Sequence, residues 1–473
     1  MLVRSITDVR FAPPIKNFKN TNFNHAGMQN MPNTINQTSI PLSTLHSYNN
    51  ISFKSVIKDL YERPEDAVIK EENFVEKFNW VQSLLKTEAK EESSWINLPS
   101  KLLEDGSVDK VYQTVEEFKK PIGENPHLIF VALGNPANAD EAAKALGFGD
   151  NVTYCCAVRE SEIKHAIQKS GGNLEKIQVM ISSKSGTTFE SNTTYQFLHK
   201  QFENFYKNKG FEGEELKKQI SKHFLCLTDK NPSAKLKKEA IERGYKTIDC
   251  IDGLASGFGD LAYDMPLLAY AGLSEEDAIK MLKAAENITK ETLENPLEKN
   301  LAGKIAVFDR IAKRNGVLKE QFIFHDTGID FTNTIAQLYR ESLRKTDLEL
   351  NTYPRSAHSG LQSAIDSKLD WQKTNNITNI IPLGGDKTQS ALNLEIAHIK
   401  NATNEGHWQK ILGFELKSDG SGITPETLGE FLMLKSFIAY FKNYLEGTNH
   451  NMQKIDYVNG YKAIFKDLQD GCN

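Results

Sequence analysis

The sequence predicts an α/β protein with two doubly wound domains, each built on a parallel sheet, and with additional helices. Short runs that are nearly continuous in apolar residues alternate with segments of helical periodicity, and this alternation is typical of parallel strands covered by helices on both faces. It occurs twice, between about residues 120 and 250 and again between about residues 304 and 447. The chain is also 473 residues long, which is more than one hydrophobic core usually accommodates.

A tail and a helical segment precede the first of these domains. Residues 1–54 are predicted to be a disordered tail, because the stretch from 17 to 50 is rich in Asn, Thr and Ser and has little apolar surface to bury. This region lacks the apolar core and the A-x-A site of a secretory signal, and a targeting peptide is the alternative interpretation. Residues 55–119 are predicted to be helical, as in the segment EENFVEKFNWVQSLLKTEAKEE.

The two α/β domains are assigned to residues 120–270 and 271–447. Strands of the first are predicted from the apolar runs HLIFVAL, NVTYCCAV, KIQVMISS, FLCLTD and YKTIDC. The second begins with a helical linker, SEEDAIKMLKAAENITKETLE, and continues with strands predicted from EQFIFHD, NIIPLGG and KILGFELK. Its helices are predicted from FTNTIAQLYRESLRK and TPETLGEFLMLKSFIAYFKNYLEG. Residues 448–473 carry too few apolar residues for a domain, and we expect this segment to pack on the functional site.

Composition narrows the classes of function. The net charge of -5 argues against nucleic acid or an anionic membrane as the main partner, and no apolar run is long enough to span a bilayer. The five cysteines form no CxxC pair and no metal-binding spacing, which predicts a reducing, cytoplasmic environment. Since the sequence also contains no HExxH motif, we expect neither a metal nor a cofactor.

A hydroxyl-rich loop follows the predicted strand KIQVMISS and leads into a helix. Ligands of doubly wound sheets bind at the carboxyl ends of strands, and the N–H groups of a helix N-terminus favour an anion. A capping box of Thr187 and Glu190 would explain one hydroxyl, but not four together with a lysine. The spacing GxxxxGK[ST] of a nucleotide-binding loop is absent, so ATP is not predicted. The pattern predicts a phosphate site formed by Ser183, Lys184, Ser185, Thr187 and Thr188 around Gly186.

The segment SKSGTT at this joint resembles the phosphate loop of sugar isomerase domains, and in particular that of the glucose-6-phosphate isomerase family. Four further segments are similar to segments of that family and occur in the same order: AQLYRESLRK, SAHSGLQSAID, TPETLGEFLMLKSF and NHNMQKIDYVNGYK. The resemblance covers most of the chain from about residue 75 onward. It implies two sugar isomerase domains, no cofactor, and a homodimer with a shared active site.

The resemblance also implies a reaction and a set of residues. The family interconverts glucose 6-phosphate and fructose 6-phosphate in glycolysis and gluconeogenesis, by moving a proton through an enediolate. By this resemblance Glu341 is the base, His358 opens the sugar ring and Lys462 acts at the ring oxygen. Gln337 and Gln453 hold the sugar, although the spacing from Gln453 to Lys462 is about two residues longer than in the family. By residue type alone, Glu341 would be a solvated helix residue.

Two departures from the family pattern keep a second function open. The family has a Gly-Gly-Arg stretch before the helix that joins its domains, whereas no arginine lies between Arg243 and Arg310. The loop after the first strand carries Pro136 and Asn138 where the family has glycine and serine. The alternative is therefore a catalytically impaired sensor that binds a sugar phosphate. A third interpretation, an aspartic protease suggested by DTG at Asp326, lacks the second such motif that the chemistry needs.

Overall fold

The computed structural model describes residues 6–12, 74–92, 94–133, 135–184, 186, 188–251, 254, 257–317, 319–325, 329–343, 350–354, 375–385, 397 and 408–447. For residues 6–12, 135, 136, 319, 341, 342, 350–354, 375 and 409 it describes the backbone and not the side chain.

Within these ranges, ten strands form two five-stranded sheets. The strands are β1 (Ile6–Ala12), β2 (His127–Ala132), β3 (Val152–Tyr154), β4 (Ile177–Ser182), β5 (Phe224–Thr228), β6 (Lys246–Asp249), β7 (Lys319–Phe324), β8 (Leu350–Pro354), β9 (Asn375–Gly384) and β10 (Trp408–Leu416).

Thirteen α-helices lie in the described part of the chain. They are α1 (Phe74–Glu88), α2 (Leu98–Glu104), α3 (Ser107–Lys119), α4 (Ala139–Ala145), α5 (Glu160–Lys169), α6 (Phe189–Asn208), α7 (Gly213–Ser221), α8 (Lys235–Arg243), α9 (Asp260–Ala271), α10 (Glu275–Glu294), α11 (Leu301–Arg314), α12 (Thr332–Gln337) and α13 (Pro425–Leu445).

The first sheet has the strand order β3-β2-β4-β5-β6, and all neighbouring strands are parallel. Ile129 and Val131 of β2 pack into one core with helices α5 to α8, whereas Leu128 and Phe130 pack into another core with α3 and α9. Alternate residues of one strand are therefore buried on opposite faces. The predicted doubly wound parallel sheet is confirmed.

The second sheet has the strand order β1-β10-β9-β7-β8. Four of its strands are parallel to their neighbours, and β1 pairs antiparallel with β10 at the edge. The strand β1 corrects the expectation of an unstructured tail for Ile6–Ala12. Its backbone groups pair with an edge strand about 400 residues later in the chain, and a composition argument based on local apolar content does not detect such a pairing.

Helix α13 lies in the core of the second half. Thr424 begins it by accepting a hydrogen bond from the Thr427 amide (3.2 Å), and Pro425 occupies the first turn. Phe441 stacks on Phe78 of α1, with ring centroids 5.1 Å apart. No helix in the described residues is both long enough and apolar enough to cross a membrane.

The segment predicted as one helix, FTNTIAQLYRESLRK, contains two kinds of helix. Helix α12 ends at Gln337 and continues directly as a π-helix from Leu338 to Ser342. The amide of Leu343 donates to the carbonyl of Leu338 (3.3 Å), which is the i to i+5 bond of a π-turn. Glu341 lies within this π-helix.

Candidate functional site

The strand order of the first sheet places a crevice beside the hydroxyl-rich loop. The chain passes from β2 outward to β3 and then returns on the other side of β2 as β4, so the strand order reverses between β2 and β4. Ligands of open α/β sheets bind at the carboxyl ends of the strands at this switch point. The described residues of the loops that follow β2 and β4 lie at this edge: 133 and 135–138, and 183, 184, 186 and 188.

The loop after β4 is held by the neighbouring strand and by its own side chains. The Ser183 amide donates to the Leu227 carbonyl (3.0 Å), and the Ser183 hydroxyl accepts from the Gly186 amide (3.1 Å). The Lys184 carbonyl accepts from the Asp229 amide (3.0 Å). Ser183 and Lys184 are therefore fixed at the end of β4. Ser185 and Thr187 lie outside the described residues.

Gly186 is required by the shape of this loop. Its φ is +68°, in the left-handed region that glycine adopts without strain. A Cβ at this position would lie 2.5 Å from both the Cβ and the amide nitrogen of Leu236, where helix α8 begins. The loop thus packs against a second helix N-terminus with no space for a side chain.

Thr188 is the N-cap of helix α6, and its conformation leaves its hydroxyl for another partner. Its backbone is extended (φ −65°, ψ 119°), but its side chain makes no capping bond to the first turn of the helix. Because the cap falls at Thr188, Glu190 occupies the second helical position, whereas a capping box requires it at the third. The alternative interpretation of the loop, a capping box of Thr187 and Glu190, therefore does not fit the N-terminus of this 20-residue helix.

The loop after β2 connects the switch point to a residue predicted to hold the sugar. Asn138, which is 2% exposed, ends a 3₁₀ turn and donates from its side-chain nitrogen to Gln337 Oε1 (3.1 Å). Asn138 belongs to the second departure from the family pattern, the altered loop after the first strand. In this structure it is the contact between the first sheet and the helix that carries Gln337.

Glu141, in the first turn of α4, makes a second contact with the same helix. Its Oε1 accepts from the backbone amide and the side-chain amide of Asn333 (both 2.9 Å). Its Oε2 accepts from the backbone amide (2.9 Å) and the hydroxyl (2.7 Å) of Thr334. Burial raises the pKa of the Glu141 carboxyl, and the hydrogen bonds from Thr334 and Asn333 oppose this rise.

The second sheet has its own switch point, between β7 and β9. Helix α12 and the π-helix follow the end of β7, so Gln337 and the backbone of Glu341 lie after the carboxyl end of a strand at this switch point. Tyr339 of the π-helix is buried, with its ring centroid 4.7 Å from Lys442 Nζ. The side chain of Glu341 lies outside the described part of the structure.

A buried lysine lies where the sequence lacks the family's arginine. The carbonyl of Gly257, just before α9, accepts from Lys435 Nζ (2.7 Å) and from the Ser436 hydroxyl (3.0 Å). A Cβ on Gly257 would lie 2.8 Å from Leu338 Cδ1, so this segment packs directly on the π-helix. Lys435 Nζ also lies 2.7 Å from Asp260 Oδ2.

This ammonium group is already neutralised by Asp260. A second carboxyl, that of Asp264, is fully buried and has no hydrogen-bond partner among the described residues. Burial, and then the neighbouring Asp260 carboxylate, raise the pKa of Asp264 well above its usual value. One ammonium thus lies beside the Asp260 carboxylate and a second carboxyl, Asp264, whose pKa is raised. Lys435 adds no net positive charge to the site.

Four predicted site residues lie beside one or other of these two switch points, and the others are not described. Ser183, Lys184, Thr188 and Gln337 are described, together with the backbone of Glu341. The following predicted residues lie outside the described residues: Ser185, Thr187, His358, Gln453 and Lys462. No group of three or more His, Cys, Asp or Glu side chains in the described ranges could hold a metal ion.

Sequence reasoning missed Lys435 and Glu141. Lys435 had a signal, because it is a single lysine within the apolar run FLMLKSFIAY, and such a position requires a buried partner. Glu141 had no signal, since a glutamate in the first turn of a short helix is ordinarily a solvated residue.

Comparison with known proteins agrees with this architecture. No family model matches the chain. A curated glucose-6-phosphate isomerase from Acetivibrio thermocellus is 30% identical over 171 residues, which are 36% of this chain. The match spans 35% of that relative, or about a third of its length.

Two solved structures are similar over most of the chain. A hypothetical protein from Thermus thermophilus has a TM-score of 0.64 and 18% identity, over 83% of this chain and 94% of that one. A glucose-6-phosphate isomerase from Chlamydia trachomatis has a TM-score of 0.62 and 18% identity, over 80% of this chain and 75% of that one. The comparisons support the resemblance to the glucose-6-phosphate isomerase family, and the predicted sugar isomerase fold is confirmed.

Proposed function

We propose that this chain, which has the sugar isomerase fold, is an aldose–ketose isomerase of hexose 6-phosphates that interconverts glucose 6-phosphate and fructose 6-phosphate. The observation that carries the proposal is the hydrogen bond from Asn138 to Gln337. It joins the switch point that bears the hydroxyl-rich loop to the helix that leads to Glu341. A phosphate at the loop and a reacting sugar at the helix would therefore belong to one site.

The phosphate would bind at the N-terminus of α6. The dipole of a 20-residue helix and its free N–H groups favour a dianion there, and the Thr188 hydroxyl is not used as a helix cap. The tight packing of Gly186 on Leu236 means that the loop would offer its backbone in a fixed arrangement. Such a preformed cradle would bind phosphate without an ordering cost.

The proposed chemistry is proton transfer between neighbouring carbons through an enediolate. By the resemblance, Glu341 takes the proton, His358 opens the ring, Lys462 acts at the ring oxygen, and Gln453 holds the sugar beside Gln337. The π-turn at Leu338–Ser342 supports this role for Glu341, because π-turns inside helices are frequent at functional sites.

We propose that turnover is slow, because the described residues stabilise the negative charge of the enediolate poorly. Lys435 lies near the segment that lacks arginine, but Asp260 neutralises it. The N-terminus of α12 is also neutralised, by the Glu141 carboxylate. Losing one donor to a developing oxyanion typically lowers the rate by ~10²–10³.

The decisive experiment is a coupled assay of the purified protein with fructose 6-phosphate, with mannose 6-phosphate beside it. Glu341→Gln keeps the size of the side chain but cannot take a proton, so turnover should fall by ~10² or more. Glu160→Gln, an exposed glutamate of α5, is the matched control and should leave turnover unchanged. Exchange of the C2 proton with solvent deuterium at the wild-type rate in Glu341→Gln would refute the assignment of the base.

The second candidate function is a sensor that binds a sugar phosphate without converting it. The pairing of Lys435 with Asp260 favours a sensor, since Lys435 of α13 then supplies no net positive charge to stabilise an enediolate. Calorimetry with fructose 6-phosphate separates the two functions. Binding with no isomerisation of either hexose phosphate identifies a sensor, whereas any isomerisation abolished by Glu341→Gln identifies an enzyme.

We also propose a cytoplasmic location and a homodimer. Among the described residues, Cys155, Cys156, Cys226 and Cys250 form no disulfide, which is consistent with a reducing compartment. The homodimer follows from the resemblance, in which the histidine segment reaches the partner's active site.

A further inference from the structure

The segment from Asn138 to Glu141 contacts both ends of helix α12. At the C-terminal end, Asn138 donates to Gln337. At the N-terminal end, Glu141 accepts four hydrogen bonds from Asn333 and Thr334, at 2.7 to 2.9 Å. One turn of the first half therefore holds the whole length of a helix of the second half, which carries Gln337 and leads to Glu341.

The backbone amides that Glu141 accepts have no partner within their own helix. Asn333 and Thr334 are the second and third residues of α12, and the first four N–H groups of any helix lack an intrahelical acceptor. The N-cap of α12 is Phe331, which makes no side-chain capping bond. Glu141, 193 residues away from Thr334 in sequence, supplies the acceptor that the local sequence lacks.

Helix α12 is too short to hold its own position. It has six residues, and an isolated helix of that length is unstable in water. A half-buried carboxylate that accepts both a backbone and a side-chain donor on each oxygen fixes both the position and the rotation of the helix. Rotation matters here, because it sets where Gln337 and the following π-turn point.

We propose that Glu141 is a positioning residue that holds the helix bearing Gln337 and Glu341 in its productive orientation. This inference rests on the proposed function for its effect on turnover, but not for its effect on the helix. The role differs from that of the phosphate loop, since Glu141 need not touch the substrate. It acts through α12.

The first test is hydrogen–deuterium exchange followed by mass spectrometry, with peptides that cover residues 329–343. In Glu141→Ala the amides of Asn333 and Thr334 lose their acceptor, so their exchange should accelerate about 5- to 30-fold, as expected for the loss of a helix cap. Glu141→Gln keeps one acceptor oxygen and should give a smaller acceleration. Glu160→Ala, in the first turn of α5 and exposed to solvent, is the matched control. Unchanged exchange of this segment in Glu141→Ala would overturn the proposal.

The second test is steady-state kinetics with fructose 6-phosphate. A small misplacement of a catalytic group costs up to ~10²-fold, so kcat should fall at least ~10-fold in Glu141→Ala and less in Glu141→Gln, with KM nearly unchanged. A purely structural role would lower the melting temperature without this graded loss of kcat. A kcat equal to that of Glu160→Ala would overturn the proposal. If the wild type isomerises no hexose phosphate, the proposed function fails, and the exchange experiment alone decides whether Glu141 holds α12.

Discussion

At the scale of single residues, the hydroxyl-rich loop after β4 requires a glycine at position 186. Gly186 has a left-handed backbone, and a Cβ would meet Leu236 at 2.5 Å. Gly210 has a similarly positive φ of +87°, but a Cβ there would meet nothing within 4 Å. A comparison of alanine substitutions at Gly186 and Gly210 therefore separates the cost of the left-handed backbone from the cost of a steric clash.

We expect Gly186→Ala to be far more damaging than Gly210→Ala. Gly210→Ala, the control, introduces only the strain of the left-handed region and should lower the free energy of unfolding by about 1–2 kcal/mol. Gly186→Ala adds the conflict with Leu236 and should also abolish binding of fructose 6-phosphate, because the loop must move. Urea unfolding and calorimetry measure both effects. Equal losses of stability with binding retained would contradict the geometry of the loop.

The buried carboxyls near Lys435 give a second prediction at this scale. Asp260→Asn removes the counterion of a buried ammonium and should lower the free energy of unfolding by about 3–5 kcal/mol. Asp264→Asn replaces a carboxyl whose pKa is raised by burial and which forms no ion pair among the described residues, so it should cost much less. Urea unfolding at pH 7 compares the two variants, and a larger loss in Asp264→Asn would show that the charge assignment is reversed.

The same pair predicts the dependence of stability on pH. Because folding raises the pKa of Asp264, the folded state binds more protons than the unfolded state above the usual carboxyl pKa of 3.8. Stability therefore decreases as pH rises from that value toward the folded-state pKa. Asp264→Asn should remove this contribution and flatten the profile. A profile unchanged by the substitution would contradict it.

The sequence predicted some residues of the site and not others for a physical reason. Ser183, Lys184 and Thr188 were predicted because hydroxyls, a lysine and a glycine lie close together in sequence between a strand and a helix. Glu141 and Lys435 were missed because their partners are distant in sequence. A local pattern carries no information about a hydrogen bond that closes 193 residues later.

At the scale of elements, the π-helix lies above a buried network of four charges. Asp309 of α11 and Glu320 of β7 face Lys410 of β10 and Lys442 of α13. Lys442 Nζ is 2.8 Å from Asp309 and 2.5 Å from Glu320. Burial alone would raise the pKa of Asp309, but the two ammonium groups outweigh it and lower that pKa. The network joins α11, β7 and β10 to Lys442, and Lys442 is the residue on which the Tyr339 ring packs.

We expect this network to tolerate the loss of a pair better than the loss of one charge. Lys442→Met leaves two carboxylates with one ammonium and should cost about 3–5 kcal/mol in the free energy of unfolding. Adding Glu320→Gln restores the balance and should recover part of this loss in a double-mutant cycle. Lys164→Met, which breaks a solvent-exposed pair with Glu160 on α5, should cost at most about 1 kcal/mol. Strictly additive losses for Lys442 and Glu320 would contradict the coupling.

The elements themselves were largely predictable, with three exceptions. The apolar runs placed most strands, since strands buried on both faces have continuous apolar sequences. Strand β1 (Ile6–Ala12), strand β8 (Leu350–Pro354) and the π-turn were not predicted. A segment such as LNTYP has no apolar run, and five residues are too few for a periodicity to distinguish a π-turn from an α-helix.

At the scale of the whole molecule, both halves are built on a five-stranded sheet, and they contact each other beside their switch points. Each sheet reverses its strand order once, and the loops at the two switch points are joined through Asn138 and Gln337. Alternating strands and helices predicted the two sheets. The contact between them was not predictable from the sequence, because it depends on how two independently patterned halves pack.

The proposed homodimer gives a prediction at this scale. Glu341→Gln and His358→Ala subunits should each be inactive alone, but a hybrid dimer has one site with both residues intact if the site is shared. Random pairing of a 1:1 mixture would then restore about a quarter of the wild-type activity. The measurement is the isomerase assay after mixing under conditions of subunit exchange. A monomer by light scattering, or no recovery on mixing, would contradict a shared site.

The bond between Glu141 and α12 also has a consequence for how the protein is made. A ribosome adds about 5–20 residues per second, so the 193 residues between Glu141 and Thr334 take roughly 10–40 seconds to synthesise. The first sheet has all its strands by Asp249 and can fold during this time. During this time the Glu141 carboxylate lacks its hydrogen-bond donors, because Asn333 and Thr334 have not yet been synthesised. The proposed active site would therefore form only after the second half has been synthesised. A product truncated before α12 would carry the proposed phosphate loop without the helix that bears Gln337.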